Sequence, residues 1–525
     1  MRFRFYVWMV LVPVLWGCGN HDGDHRFYIL PPDPDTLVLV DQKDPATLDP
    51  ALTWGFLDGK LIGYIFSNLV RFDVKANIIP DLAESWDISP DGLQYTFHLN
   101  LHARFSNGRA VTTDDVVYSF NRVLAPQTAA RSAWVLERIA SMKAVNRHQV
   151  VIQLNKPFTP FLNMLAMPAA AVVPQEEVEK AEASGTTFSE RPVGSGPWKF
   201  DEWKHDQYVS FVRNDEYWKP EKPAMSKLVY RIISNAFTSI AEFETGNVAV
   251  IEPLPEAEVL RWKTHPQWKN YTRLEQELVL DQLLFNTERE PFNRVEVRQA
   301  LSQTLEMPLL LEAVREGAGF VANGPIPNGI SGHDPNRKPY PYQPDEALKV
   351  LQQHNAINRE FVFLIPSNDA PLRLLGEIMQ AEWKKLGIKV RLQPLEWVTY
   401  KRMMLDGDFD LCFQNWYGDY PDGDNFLYPL FHSSQIGLVN GSRLNDPDVD
   451  RLIEASQSEQ DTAKRIQLLE QANALIVEKA PAIFLWYRAK YIVAQPWLKN
   501  YQVPLIFNGT QMLNAKVEIP ETSDE

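Results

Sequence analysis

The chain predicts an α/β protein with more than one core, and three observations carry that expectation. At 525 residues it is too long for a single ordinary core. Between residues 361 and 413 the hydrophobic pattern alternates between strand and helix, as in βαβ units. That alternation runs into an aromatic, carboxylate-bearing loop, residues 413–426, at the place where an open sheet gathers its ligand.

Composition narrows the class. Hydrophobic content of 45% and charged content of 23% are those of a soluble globular protein. A net charge of −15 argues against nucleic acid or anionic lipid as a partner. The 15 Trp, 18 Tyr and 27 Phe are enough to fill cores and also line a cleft. The two cysteines, Cys18 and Cys412, cannot form a disulfide framework, and Cys412 reads as a buried thiol.

Residues 1–17 read as an export signal. Arg2 and Arg4 precede an apolar run at 6–16 that is too short for a stable span. The run ends Leu15-Trp16-Gly17-Cys18, which resembles a bacterial lipobox and implies lipidation of Cys18. The alternatives are ordinary cleavage near Gly17 or a retained anchor. Polar residues 18–35 then read as a flexible tether.

The folded body begins with a strand at 36–40. A helix follows at 58–69, with Leu61, Ile62, Ile65, Phe66 and Leu69 on one face. Asp91-Gly92 is a hairpin turn signal, and Leu93, Tyr95, Phe97 and Leu99 alternate along a strand. Thr113-Asp114-Asp115 can cap a helix reaching Leu124. Gly194-Ser195-Gly196-Pro197 predicts a tight turn and a crossing between lobes; it lacks the spacing of a hydrolase G-x-S-x-G. Residues 236–251 read helix, Gly246 cap, strand. Strand 361–365, helix 371–386 capped by Gly387, strand 388–392, helix 397–405 and strand 409–413 predict a mostly parallel sheet. A long amphipathic helical region at 448–479 and two short strands, 482–487 and 491–493, complete the chain.

Catalytic and metal signatures are missing from the sequence. It has no H-E-x-x-H, Walker A or G-x-G-x-x-G, and no cysteine pair with zinc spacing. Asp419, Asp422 and Asp424 do not follow a calcium-loop pattern. No enzyme activity and no cofactor are expected. The loop itself offers Trp416 and Tyr417 as apolar faces and Asp419 as a charge for an amine; its alternative is a surface turn that plugs a core.

Several stretches resemble the extracellular solute-binding proteins of the peptide/nickel transporter family. They are LAESWDISPDGLQYTFHL at 82–99, FSNGRAVTTDDVVYSFNRVL at 105–124, RPVGSGPWKF at 191–200, VRNDEYW at 212–218, NTEREPFNRVEVRQALS at 286–302, NGPIPNGISGHD at 323–334 and NWYGDYPDGDNF at 415–426. The resemblance implies a two-lobed periplasmic-binding-protein fold (type II, cluster C-like) with an added third domain. One lobe would hold residues 36–58, 188–279 and 488–518, the extra domain 59–187, and the second lobe 280–487. The implied function is the substrate-binding lipoprotein of an ABC importer. It would close on a peptide, an oligopeptide by the resemblance, by hinge motion and pass it to a permease and its ATPase. A monomer, anchored by lipid at the cell envelope, is expected.

Matched by motif, Asp419 is implied to meet the peptide ammonium, and Trp54-Gly55-Phe56 to lie in the segment whose main chain bonds the ligand. Trp397 and Trp416, with Tyr417, are implied to line pockets. One departure stands out. Phe413 replaces an arginine with which some oligopeptide binders hold the ligand carboxylate, and Pro366-Ser367-Asn368-Asp369 lacks the arginine of the dipeptide binders. The ligand is then a longer peptide with a free end, its anchor lies elsewhere, or it is a non-peptide solute such as nickel, a metal chelate or an oligosaccharide.

Overall fold

In the computed structural model, the structure describes residues 30–357, 359–506 and 512–518. The signal segment 1–17, Cys18 and the tether up to residue 29 lie outside the described residues. Three main sheets organise the rest.

The first sheet pairs Thr36–Asp41 parallel with Lys227–Ile232, followed antiparallel by Tyr208–Arg213 and Trp198–Lys204. Leu37 and Leu39 point inward by strand alternation and meet Phe211, Tyr230 and Trp198. The helix Phe56–Ile65 packs on this core through Leu61, Ile62, Tyr64 and Ile65. It stops four residues before the expected end because the chain from 194 to 197 abuts it. Gly196 N–H donates to the Ile65 carbonyl at 2.7 Å. A Cβ on Gly194 would sit 2.1 Å from Ile65 O, and one on Gly196 2.4 Å from Tyr64 O. The Gly-Ser-Gly-Pro turn therefore seals a helix end and leads into an edge strand of this sheet; it is not a lobe crossing.

The second sheet is antiparallel, in the order Ala83–Ile88, Gln94–Leu99, Gln149–Leu154, Ile139–Asn146. Tyr95, Phe97 and Leu99 are buried, as their alternation predicts. The helix Thr113–Leu124 is capped one residue earlier than expected, by a Thr112–Asp115 capping box.

The third sheet has seven strands and corrects the parallel expectation. Glu360–Pro366, Lys389–Leu395 and Leu411–Tyr417 are mutually parallel, joined by the helices Ala370–Lys385 and Trp397–Asp406. The remaining ladders are antiparallel, because Thr272–Phe285 and Ala482–Ala494 enter from the opposite side. Ala482–Ala494 is one strand of 13 residues, not two. Arg488 and Lys490, which lie in the expected gap at 488–490, are ion-paired with Asp281 (2.7 Å) and Glu252 (2.8 Å). The region 448–479 is two helices, Pro447–Ser458 and Thr462–Lys479, the second capped by Asp461.

The two long strands join the bodies. Thr272–Gln276 pair with Val493–Ala489, the register then slips between Gln276 and Leu280, and Leu280–Leu284 pair with Tyr487–Ala482. Ile492 and Ala494 belong to the first sheet's core, whereas Ile483, Leu485 and Trp486 belong to a core of the third sheet. The slip marks the place where Ala482–Ala494 passes from one core to the other.

Candidate functional site

A cleft cavity of about 460 Å³ lies where these bodies meet, walled by Trp54, Phe56, Arg131, Trp134, Tyr417 and Asp419. Trp54, Phe56 and Tyr417 are 63%, 68% and 55% exposed, an unusual concentration of aromatic surface at one place.

Local chemistry fixes each wall. The segment bearing Trp54 is anchored at Asp49, whose carboxylate accepts Arg122 Nη1 at 2.7 Å and Nη2 at 2.5 Å. Asp49 also accepts the Ala51 N–H at 3.0 Å. Ser132 Oγ donates to the Thr53 carbonyl at 2.6 Å, so the loop bearing Arg131 is tied to the segment bearing Trp54. Gly55 forms the N-terminal boundary of the helix Phe56–Ile65, and a Cβ there would lie 2.9 Å from the Asp58 carboxylate.

The opposite wall leaves the strand Leu411–Tyr417. The Tyr417 hydroxyl accepts Arg488 Nη1 at 2.9 Å, and Arg488 is held in turn by Asp281. Gly418 N–H donates to the Leu278 carbonyl at 2.7 Å, and a Cβ there would lie 2.7 Å from the Leu278 side chain. Only glycine permits that approach. Asp419 N–H donates to Asn425 Oδ1 at 2.8 Å. Its carboxyl reaches the water of the cleft, yet protein crowds it enough to push its pKa up to about 6, with Asn425 opposing.

The next residue anchors the loop. Tyr420 is buried in the core of the second sheet while its hydroxyl donates to Asp424 at 2.9 Å. Behind it Arg465 grips Asp422 in a bidentate pair at 2.9 and 2.7 Å. Thr159 N–H donates to the Gln457 carbonyl at 2.8 Å, a further link between second and third sheets.

The cavity thus brings together Trp54, Gly55, Phe56, Tyr417 and Asp419. It leaves two expected residues out. Trp416 alternates away from Tyr417 and packs against the third sheet's core, with Nε1 3.4 Å from Asn425. Trp397, 53% exposed, lines a separate cavity of about 220 Å³ with Ser367, Asn368, Lys401 and Phe413. Its ring stacks on Tyr400 at 5.8 Å. Arg131 and Trp134 were invisible to sequence reasoning, since their place depends on a hydrogen bond between residues 79 apart.

A third cavity, about 310 Å³, adjoins the first at Phe56 and is charged, with Lys60, Glu252, Glu277 and Lys490 in its wall. Burial raises the pKa of Glu252, but Lys490 and then Lys60 outweigh it and hold the carboxyl down to about 2. Cys412 lies on the same strand as Tyr417, fully buried, its thiol pushed up to about 12 by burial. Among the described residues no cluster of three His, Cys, Asp or Glu could hold a metal ion, and no helix is long and apolar enough to cross a membrane.

Two sheet-bearing lobes joined by two strands, a third domain beside them and a cavity between define the two-lobed periplasmic-binding-protein fold. The chain belongs to the bacterial extracellular solute-binding proteins, family 5, whose middle-region profile matches residues 77–437. It is 32% identical over 498 residues to Heme-binding protein A of Haemophilus influenzae, covering 89% of this chain and 90% of that one. It is 29% identical over 498 residues to the Dipeptide-binding protein of Pseudomonas aeruginosa, covering 88% and 91%. Among solved structures, HbpA2 from Haemophilus parasuis superposes with a TM-score of 0.84 at 29% identity, covering 92% and 100%. The unliganded open form of MppA, a periplasmic murein tripeptide binding protein, superposes with a TM-score of 0.82 at 25% identity, covering 94% and 99%.

Proposed function

We propose that this protein is the substrate-binding lipoprotein of an ABC importer that captures peptides between its two lobes. The observation that carries this reading is Asp419, a carboxylate at the wall of an aromatic cavity and free to meet an ammonium. Relatives named for dipeptide and murein tripeptide binding support the peptide class.

The proposed mechanism follows from desolvation. Closure moves the ligand's ammonium out of water, which is costly unless an opposite charge receives it. Asp419 receives it through a charge-assisted hydrogen bond. Main chain around Gly55 bonds the extended peptide, and Trp54, Phe56 and Tyr417 cover its apolar surface. Trp397 and Trp416 act at a distance from this point, the first in the neighbouring cavity and the second behind the wall. The division expected from the sequence, 36–58, 188–279 and 488–518 for one lobe, 280–487 for the other and 59–187 for the third domain, is kept except at 58/59, where the helix Phe56–Ile65 goes whole with the first lobe on whose core it packs. The register slip at 276–280 supports a hinge there.

Asp419→Ala should weaken binding of a tripeptide such as Ala-Ala-Ala by roughly 2–5 kcal/mol, the range for breaking a desolvated charged pair. Asp419→Asn should fall between. An N-acetylated tripeptide should bind wild type poorly and lose little more on mutation. Equal affinity for free and acetylated peptide removes Asp419 from this role. It also favours a second reading, a non-peptide solute such as a metal chelate or a porphyrin. That reading draws on the relative named for heme and on the aromatic wall.

Cys18 carries the lipid in this proposal and holds the protein at the cell envelope. Cys18→Ser should shift it from the membrane to the soluble fraction; retention through a carbonate wash would refute the anchor.

A further inference from the structure

Neither stretch where the sequence was expected to supply a carboxylate anchor does so, but a cation stands in the cavity itself. Arg131 shares the cavity with Asp419, its guanidinium lying over the Trp54 ring at 4.7 Å. Among the described residues it meets no carboxylate within ion-pair distance, in a chain with a net charge of −15. Three other arginines of the molecule are engaged by carboxylates. Arg122 is held by Asp49, Arg465 by Asp422 and Arg488 by Asp281.

An exposed arginine on a surface loop is ordinarily solvated and idle. Two features set this one apart. Its loop is held in place, because Ala130 and Ala133 pack against the second sheet's core while Ser132 bonds the Thr53 carbonyl. Its partner ring is itself a wall of the cavity, so the guanidinium is held over that ring while, among the described residues, its N–H donors meet no hydrogen-bond acceptor. Nor does Arg131 neutralise Asp419: the two form no ion pair, and crowding leaves the Asp419 carboxyl raised. The cavity therefore carries a carboxyl and a guanidinium that do not pair with each other, which is the complement of a zwitterion.

We infer that Arg131 receives a carboxylate of the same ligand whose amine meets Asp419, so that the site selects short peptides carrying a carboxylate close to their amino end. This rests on the peptide reading above. Two sources supply that chemistry: an acidic side chain on the first residue, or the C-terminus of a dipeptide. In either case closure would exclude water from a planar, bidentate pair, which is strongest when desolvated.

Calorimetry on the mature protein with two matched pairs tests the inference: Glu-Ala-Ala against Gln-Ala-Ala, and Ala-Ala against Ala-Ala-amide. Wild type should favour the acid of at least one pair by about tenfold or more, and Arg131→Gln should reduce that preference to within about threefold. The preferred pair identifies the source. Arg131→Lys should retain part of the preference, as a point charge without the fork. A cooperative unfolding transition with a midpoint close to that of wild type shows that Arg131→Gln is folded. No preference in either wild-type pair, or a preference that survives Arg131→Gln, overturns the inference. If wild type binds none of the four peptides, the peptide reading itself has failed and takes this inference with it.

Discussion

A carboxyl poised near pH 6 makes Asp419 a residue whose role can be read by titration. Burial raises its pKa from 3.8 to about 6, so ionisation is incomplete at mildly acidic pH. An ammonium partner requires the ionised form, and the peptide amine stays charged throughout this range. Affinity for Ala-Ala-Ala should therefore fall as pH drops from 7 to 5, approaching tenfold per unit below about pH 6. The fall should vanish in Asp419→Asn; a flat wild-type profile would contradict an ionised Asp419 in the complex. For the unliganded fold the sign reverses. A raised acid favours the folded state below its unfolded pKa, and that contribution disappears as pH rises through about 6. Cleft water screens this second effect and keeps it small. At this scale the sequence was legible where adjacent residues wall one cavity. Tyr417, Gly418 and Asp419 follow one strand end, and Trp54, Gly55 and Phe56 are adjacent. Trp416 was not legible, since its side chain takes the opposite side of the strand from Tyr417.

Elements were legible in proportion to how local their causes are. The helix Ala370–Lys385 and its Gly387 cap follow from apolar spacing and a positive φ of 78°. Strand Gln94–Leu99 follows from a period of two. The failures have tertiary causes. Ala482–Ala494 is one strand rather than two because Asp281 and Glu252, far away in the sequence, supply carboxylates for Arg488 and Lys490. Helix Phe56–Ile65 stops early because a turn more than 120 residues later takes its last carbonyl. The third sheet was judged parallel from its three βα-linked strands alone. Chain order says nothing of the two long strands that complete it in the opposite sense.

At the scale of the molecule, two lobes are joined by a pair of long strands with a third domain beside them, and the proposed ligand cavity lies beside the join. If a peptide binds by closing them, it should reduce the radius of gyration in small-angle scattering. At about 100 times its Kd it should also add about 2.7 kcal/mol to the unfolding free energy, since the unfolded chain has no cleft. Stabilisation without compaction would argue for a rigid site and against the hinge. The state of Cys412 bears on how such motion can be followed. A thiol buried on the strand Leu411–Tyr417 with a pKa of about 12 supplies almost no thiolate at neutral pH, so maleimide dyes should pass it by. Reporter cysteines can then be placed on exposed rims either side of the cleft in a soluble form lacking Cys18, without first replacing the native thiol. The protein is in that respect ready to serve as a fluorescent sensor of its own ligand.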